Sequence, residues 1–279
     1  MKYKFLNVVK RDLIFGFKNN RNKLVSIFVL LIVLTYFNVL SIRGQAFELG
    51  LDSKNINFID LFFYMFKGIG YSINPLPINW LLIHIYITYL VGSYCYDDLS
   101  KESSHAIVRM KNRKYIWISK IIWMSATILT FYLMLLLIIG IFSTVMLNSS
   151  LGWSKFSKVS ILNIIIKDYS SWKFILFTIL IYMLSSMTLS IFQMLISFIV
   201  KPTYIYIVNI CIFVISLFCN KFIIPIQGSL ILRQNLFDVT YKINPLNSTI
   251  YNLLAFIIIF EVGIYYIRKI DILTSQETN

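Results

Sequence analysis

Charge is scarce in this sequence. Only 14% of its 279 residues are Asp, Glu, Lys or Arg, against about 25% in an average soluble domain. Acids are scarcest, 12 against 26 Lys and Arg, and there are only two histidines, His84 and His105. Three cysteines, Cys95, Cys211 and Cys219, are too few and odd in number for a disulfide scaffold. No G-x-x-x-x-G-K-[ST] stretch occurs, so the chain has no P-loop to cradle a nucleotide phosphate. H-E-x-x-H and C-x-x-C are missing too, which removes the usual zinc and dithiol ligands. What is abundant is apolar: 58% hydrophobic residues and 16% aromatic, with a mean hydropathy of +0.75. That excludes disorder, whose signature is low hydrophobicity. It also exceeds what a soluble fold hides, so lipid is expected to cover much of the surface. The net charge of +14 in a soluble protein points to nucleic acid. Here the basic residues flank apolar runs, which points to membrane topology and anionic headgroups instead.

Six runs approach the 20 or so apolar residues that cross a bilayer. They are 24–42, 78–96, 115–147, 174–200, 203–220 and 251–267. The expected fold is therefore an all-α polytopic membrane protein, one transmembrane domain over 1–279 with no room for a soluble catalytic domain. The first run begins only at Leu24 and is long, so it reads as a retained span and not a cleavable signal. With both termini cytoplasmic, the inner segments carry 16 Lys and Arg and the outer ones 10. The positive-inside rule thus predicts a multi-pass protein of a plasma membrane with both ends inside. High Ile, Asn and Lys usage with little Ala hints at an A+T-rich bacterial genome.

Residues 1–23 are amphipathic. Phe5, Val9, Leu13 and Phe17 share one face, and Lys4, Asn7, Lys10, Arg11 and Lys18 occupy the rest. A helix in the inner headgroup layer is expected, with a plain basic flank as the alternative. Residues 97–120 open with Asp97, Asp98 and Glu102 and close with Arg109, Lys111, Arg113 and Lys114. Acids first and bases last suit the dipole of a short helix, which Ser100 or Ser103 is placed to cap. Such a projecting charged helix is a docking surface. Outside, the apolar stripes Ile56, Phe58, Leu61, Phe62, Met65 and Ile161, Ile164, Ile165 predict interfacial or re-entrant elements. Pro225, Gly228 and Pro245 forbid one continuous helix over 221–250. Lys201-Pro202 predicts a tight hairpin, because the residue before proline is pushed out of helical space.

Two intramembrane groups are pathway candidates. Glu261 is the one acid inside a span, a functional candidate by default, with pairing to nearby headgroup-level bases as the alternative. His84, six residues past Ile78, reads as a hydrogen-bonded packing residue or a proton relay. Trp80, Trp117, Trp153 and Trp172 fit aromatic belts. Cys211 and Cys219 are packing residues. Convergent Ser/His/Asp or paired acids are not apparent, so catalysis by the chain itself is not expected.

The stretch SSHAIVRMKNRKYIWISKIIW, Ser103 to Trp123, resembles the membrane subunits of bacterial ABC type-2 exporters. The matching residues are Ile107, Val108, Arg109, Lys111, Arg113, Trp117 and Lys120, and the ending FEVGIYYIRKIDIL, Phe260 to Leu273, is similar as well. The resemblance implies a cytoplasmic coupling helix between spans two and three. Asp98, Glu102, His105, Arg109, Lys111 and Arg113 would there meet a separate cytosolic ATPase dimer. It also implies a second permease subunit, the same or homologous. No cofactor would bind this chain; ATP and magnesium would be used by the partner. The cargo class it suggests is an amphiphilic antimicrobial peptide, a lipid-like molecule or a drug. The alternatives are a non-catalytic membrane sensor or assembly partner and, behind it, an intramembrane enzyme.

Overall fold

Where water is excluded, a chain satisfies its backbone N–H and C=O groups internally, and the helix does so within one segment. The computed structural model describes residues 2–70, 76–92, 94, 114–161, 170–219, 224–237 and 243–269. Among the described residues the fold is helical with no strand; there are only two isolated bridges, Asn57 to Asn148 and Gln234 to Ile243. In chain order the helices are α1 Lys2–Asn19, α2 Arg21–Glu48, α3 Phe58–Phe66, α4 Ile78–Gly92 and α5 Lys114–Met146. After them come α6 Lys155–Ser160, α7 Ser171–Ile196, α8 Pro202–Phe218 and α9 Pro245–Lys269.

Helices thus stand at all six predicted spans. Four of them, α2, α5, α7 and α9, are long and apolar enough to cross a membrane. The other two are shorter over their described residues, 15 in α4 and 17 in α8, and Tyr94 beyond α4 is helical as well. Large apolar side chains such as Phe28, Val33, Leu137, Ile141, Ile207 and Ile258 remain exposed along the helices.

α7 is the most buried of the long helices, packing against α9, α4, α5, α8 and α3. Among its buried residues is a small, polar group, Ser185, Ser186, Thr188 and Ser190. Small side chains let helices approach where hydrophobic contrast with the surroundings is weak. Thr188 Oγ1 donates to Asn252 O at 3.1 Å, and Asn252 Nδ2 donates to Ser185 Oγ at 3.3 Å, fastening α9 to α7. Residues 197–201 turn the chain from α7 into α8, which opens with Pro202 at its first position, as the dipeptide predicts. Pro245 likewise opens α9, so that helix starts six residues before the predicted run.

α3 lies wholly in the interior apart from Phe58 at its start. Asn57 caps it: its Oδ1 accepts from Ile59 N at 3.1 Å, while Asp60 Oδ2 accepts from Asn57 N at 2.8 Å. Phe62 stands edge-on to Phe174, and Phe66 edge-on to Tyr182, so α3 descends along α7. The carbonyls at its far end each find a different donor. Asn79 Nδ2 donates to Tyr64 O (2.9 Å), Tyr182 OH to Phe66 O (2.6 Å) and Leu232 N to Lys67 O (3.0 Å). Gly68 ends the helix at φ +67°, and a Cβ there would lie 3.0 Å from Leu230 Cα. The far end of α3 therefore meets the start of α4, whose second residue supplies one of those donors.

The outward-facing prediction for tryptophan holds only in part. Trp172 is exposed, but Trp80 and Trp117 are fully buried. Each has a partner for its indole N–H that a belt position would leave to water: Ser229 Oγ for Trp80 at 2.7 Å and Phe260 O for Trp117 at 3.1 Å.

Candidate coupling and pathway sites

At one end of the bundle α1 runs alongside the first turns of α5. Phe5 stacks on Tyr115 with ring centroids 5.1 Å apart, and Gly16 abuts Trp123. The seam between them is Asp12, Gly16 and Asn20, all buried. That is a polar, small-residue seam beside the predicted apolar stripe, whose Val9, Leu13 and Phe17 are only half-buried. Asp12 Oδ1 accepts from Arg11 Nη2 at 2.7 Å and Nε at 3.1 Å. Its Oδ2 accepts from Ser119 Oγ and lies 3.4 Å from Lys120 Nζ. Lys120 is as buried as Asp12. A buried ion pair of this kind is no large net stabiliser, because both ions lose water. What it imposes is geometry.

Midway along α4, His84 is fully enclosed. Its ring stacks on Tyr182 at 5.4 Å and 10°, meets Trp80 edge-on at 5.1 Å, and places Nε2 3.2 Å from Ser229 Oγ. Ser229 in turn donates to Ile226 O at 2.7 Å. The surroundings are those of a packed, hydrogen-bonded histidine. Nearer the α1 end, Gln193 of α7 donates to Thr88 O of α4 at 3.2 Å and accepts from Asn209 Nδ2 of α8 at 3.1 Å. Three helices are fixed in register by one amide. Gly92 leaves room for it, since a Cβ there would fall 2.4 Å from Gln193 Nε2.

At the opposite end, residues 224–237 fold into short 3-10 turns, Gln227–Ser229 and Ile231–Arg233. Arg233 is buried against the last turn of α8. Its Nη1 donates to Ser216 O at 2.8 Å and to Gln227 Oε1 at 2.9 Å, and its Nη2 to Leu217 O at 2.5 Å. A cation at a helix C-terminus meets both the dipole and the orphan carbonyls. Asp60 is equally enclosed. It accepts from Ser154 Oγ (2.8 Å) and Ser157 Oγ (2.5 Å), joining α3 to α6. Burial raises the Asp60 carboxyl above its ordinary range, against the lowering pull of those hydrogen bonds. Lys67 places its ammonium 4.0 Å from the Tyr64 ring centre.

The predicted coupling residues Asp98, Glu102, His105, Arg109, Lys111 and Arg113 lie outside the described residues. Of the pathway candidates, His84 is interior and Glu261 lies on the exposed face of α9, so they share no surface. Sequence reasoning gave no role to Asp12, Asp60, Gln193 or Arg233. Lys120 carried the one usable signal, a charge close to the start of a long apolar run. The fold and its sites thus define an all-helical chain built around buried polar junctions, with four helices of membrane-crossing length and hydropathy. Comparison with family models, curated proteins and solved structures finds no match.

Proposed function

We propose that this chain is the membrane permease subunit of an ATP-driven transporter, exporting or clearing an amphiphilic peptide, a lipid-like molecule or a drug. The observation that carries the reading is the charged stretch from Asp97 to Lys120, with its likeness to ABC type-2 exporters, set between two apolar helices. α4 and α5 pack together, α1 packs along α5, and Asn20, just past α1, donates to Leu90 O of α4. In this reading α2, α4, α5, α7, α8 and α9 are six spans. The α1 end is cytoplasmic, where the basic segments gather. α3 and residues 224–237 then enter the membrane from outside. The far end of α3 meets the outer start of α4, whose Asn79 donates to Tyr64 O, and Arg233 donates to the carbonyls that end α8. Irregular backbone at membrane depth is tolerated only where protein encloses it, and the donors to α3 and the Arg233 contacts to α8 meet that condition.

Energy for such a cycle has to come from a ligand with different affinity for two conformations. A partner ATPase bound through 97–114 would supply it. The test is purification from the native host's membranes in mild detergent. A P-loop ATPase is expected to accompany the chain. Proteoliposomes of the pair should show ATP-dependent movement of a labelled cationic amphiphilic peptide, a fluorescent phospholipid or a hydrophobic dye. Replacing Glu102, Arg109 and Arg113 together should leave insertion intact and uncouple hydrolysis from movement. A co-purifying kinase and no ATPase would replace this reading with a sensor.

A further inference from the structure

Residues 95–113 have a described neighbour on either side, Tyr94 before them and the start of α5 after them, and both arrive at one residue of α1. Tyr94 OH donates to Asp12 O at 3.2 Å. From the other side, Ser119 Oγ donates to Asp12 Oδ2 and Lys120 Nζ lies 3.4 Å from the same oxygen. Lys120 also sits over the Tyr94 ring, 4.5 Å from its centre, which closes a ring of contacts from α1 to Tyr94 to α5. Tyr94 stacks on Trp123 at 3.9 Å, Trp123 abuts Gly16, and Asn20 Nδ2 donates to Leu90 O at 2.8 Å. Asp12 is completely buried and both of its carboxylate oxygens are engaged.

Apolar helix contacts slide at small cost, whereas directed bonds to a buried charge hold one register. We propose that Asp12 is a positioning residue for force transmission. It locks α1, the end of α4 and the first turns of α5 into one lever, so that a push delivered on residues 95–113 turns all three together. The inference rests on the reading of the chain as an ATPase-driven permease, and it deepens that reading by naming where the force is gathered. The polypeptide on each side of the pushed segment is bonded to the same carboxylate residue. Motion of the α5 side alone would take Ser119 and Lys120 from the Asp12 carboxylate, and motion of the Tyr94 side alone would break its bond to the Asp12 main-chain carbonyl and take its ring from the Lys120 ammonium.

The test is hydrogen exchange on the chain purified with its partners into lipid nanodiscs, without nucleotide and with ATP plus vanadate. Asp12→Asn is expected to speed exchange of α1 amides by about tenfold or more, as local opening becomes easier. It should also abolish the nucleotide-induced exchange change in α3 and α6 at the far end, while the ATPase stays bound. Asp12→Glu, which keeps the charge, should retain both properties. Lys120→Met serves as the second variant should Asp12→Asn fail to accumulate, and it is expected to behave as Asp12→Asn does. Unchanged α1 exchange in these variants would overturn the proposal. So would a far-end response that survives although α1 is loosened. Absence of any co-purifying ATPase would instead sink the transport reading, and α1 exchange alone would then decide whether Asp12 holds the lever together.

Discussion

Single buried polar groups decide much of this molecule. Arg233 answers the orphan carbonyls that end α8, a task water performs for an exposed helix. Leaving a buried carbonyl unsatisfied costs about 1–3 kcal/mol. Arg233→Leu should therefore lower the thermal unfolding midpoint in detergent clearly, and Arg233→Lys by less, since one ammonium keeps the charge but not the fork. Gly16 is a steric requirement of another kind. A Cβ there would lie 2.0 Å from Trp123 Nε1, and overpacking costs about 1–3 kcal/mol. Gly16→Ala should reduce disulfide formation between Phe5→Cys and Tyr115→Cys in a chain stripped of its own cysteines, and adding Trp123→Leu should bring it back. Asp60 supplies a pH dependence. Its carboxyl is raised by burial in the folded protein, so its contribution favours the folded state below the ordinary carboxyl pKa. That contribution fades as pH rises through the elevated value. Acidification from neutrality should thus raise the protection factors of amides at the α3–α6 junction, each rate taken against its intrinsic rate at that pH, and Asp60→Asn should remove that rise.

At the scale of elements, the hydropathy pattern locates helices and misjudges their neighbours. The six apolar runs coincide with α2, α4, α5, α7, α8 and α9 because a run of that length has no other way to satisfy its backbone. α1 is legible as a helix. Its packing seam is not, since Asp12, Gly16 and Asn20 carry no apolar signal. The stripe of Ile56, Phe58, Leu61, Phe62 and Met65 predicts an interfacial or re-entrant element. In the structure Asp60, Phe63 and Tyr64 are buried along with Leu61, Phe62 and Met65, because α7 and neighbouring elements enclose α3 on every side. Asn38 and Asn79 exchange hydrogen bonds at 3.1 and 2.7 Å between α2 and α4. Each is a lone amide in an apolar run, and only the meeting of the two helices makes them a pair. Asn79→Leu would strand both Asn38 Oδ1 and the Tyr64 carbonyl. It should loosen α3 relative to α4, seen as faster exchange confined to α3, while α5 and α9 keep their protection.

For the molecule as a whole, the α1 end and the α3 end are the quantities to orient. Lys54, Lys155 and Lys158 are exposed at the α3 end, and Lys10 at the α1 end. With its own cysteines replaced, the chain bearing Lys54→Cys or Lys158→Cys should react with a membrane-impermeant maleimide in intact cells. Lys10→Cys should react only after permeabilisation. The reverse pattern would invert the proposed topology and put residues 97–114 out of reach of any cytosolic ATPase.

From the sequence alone come the helical class, the number and place of the apolar helices, and the breaks at Pro202 and Pro245. These are local consequences of run length and of what proline does to its neighbours. Tertiary structure alone decided that Asp12 meets Lys120, that Arg233 closes α8, that His84 lies against Tyr182, and that Trp80 and Trp117 turn inward. A polar residue in an apolar chain looks the same in sequence whether it faces lipid, solvent or a partner. Which of these it meets depends on groups far away along the chain, and burial without a partner is too costly to persist.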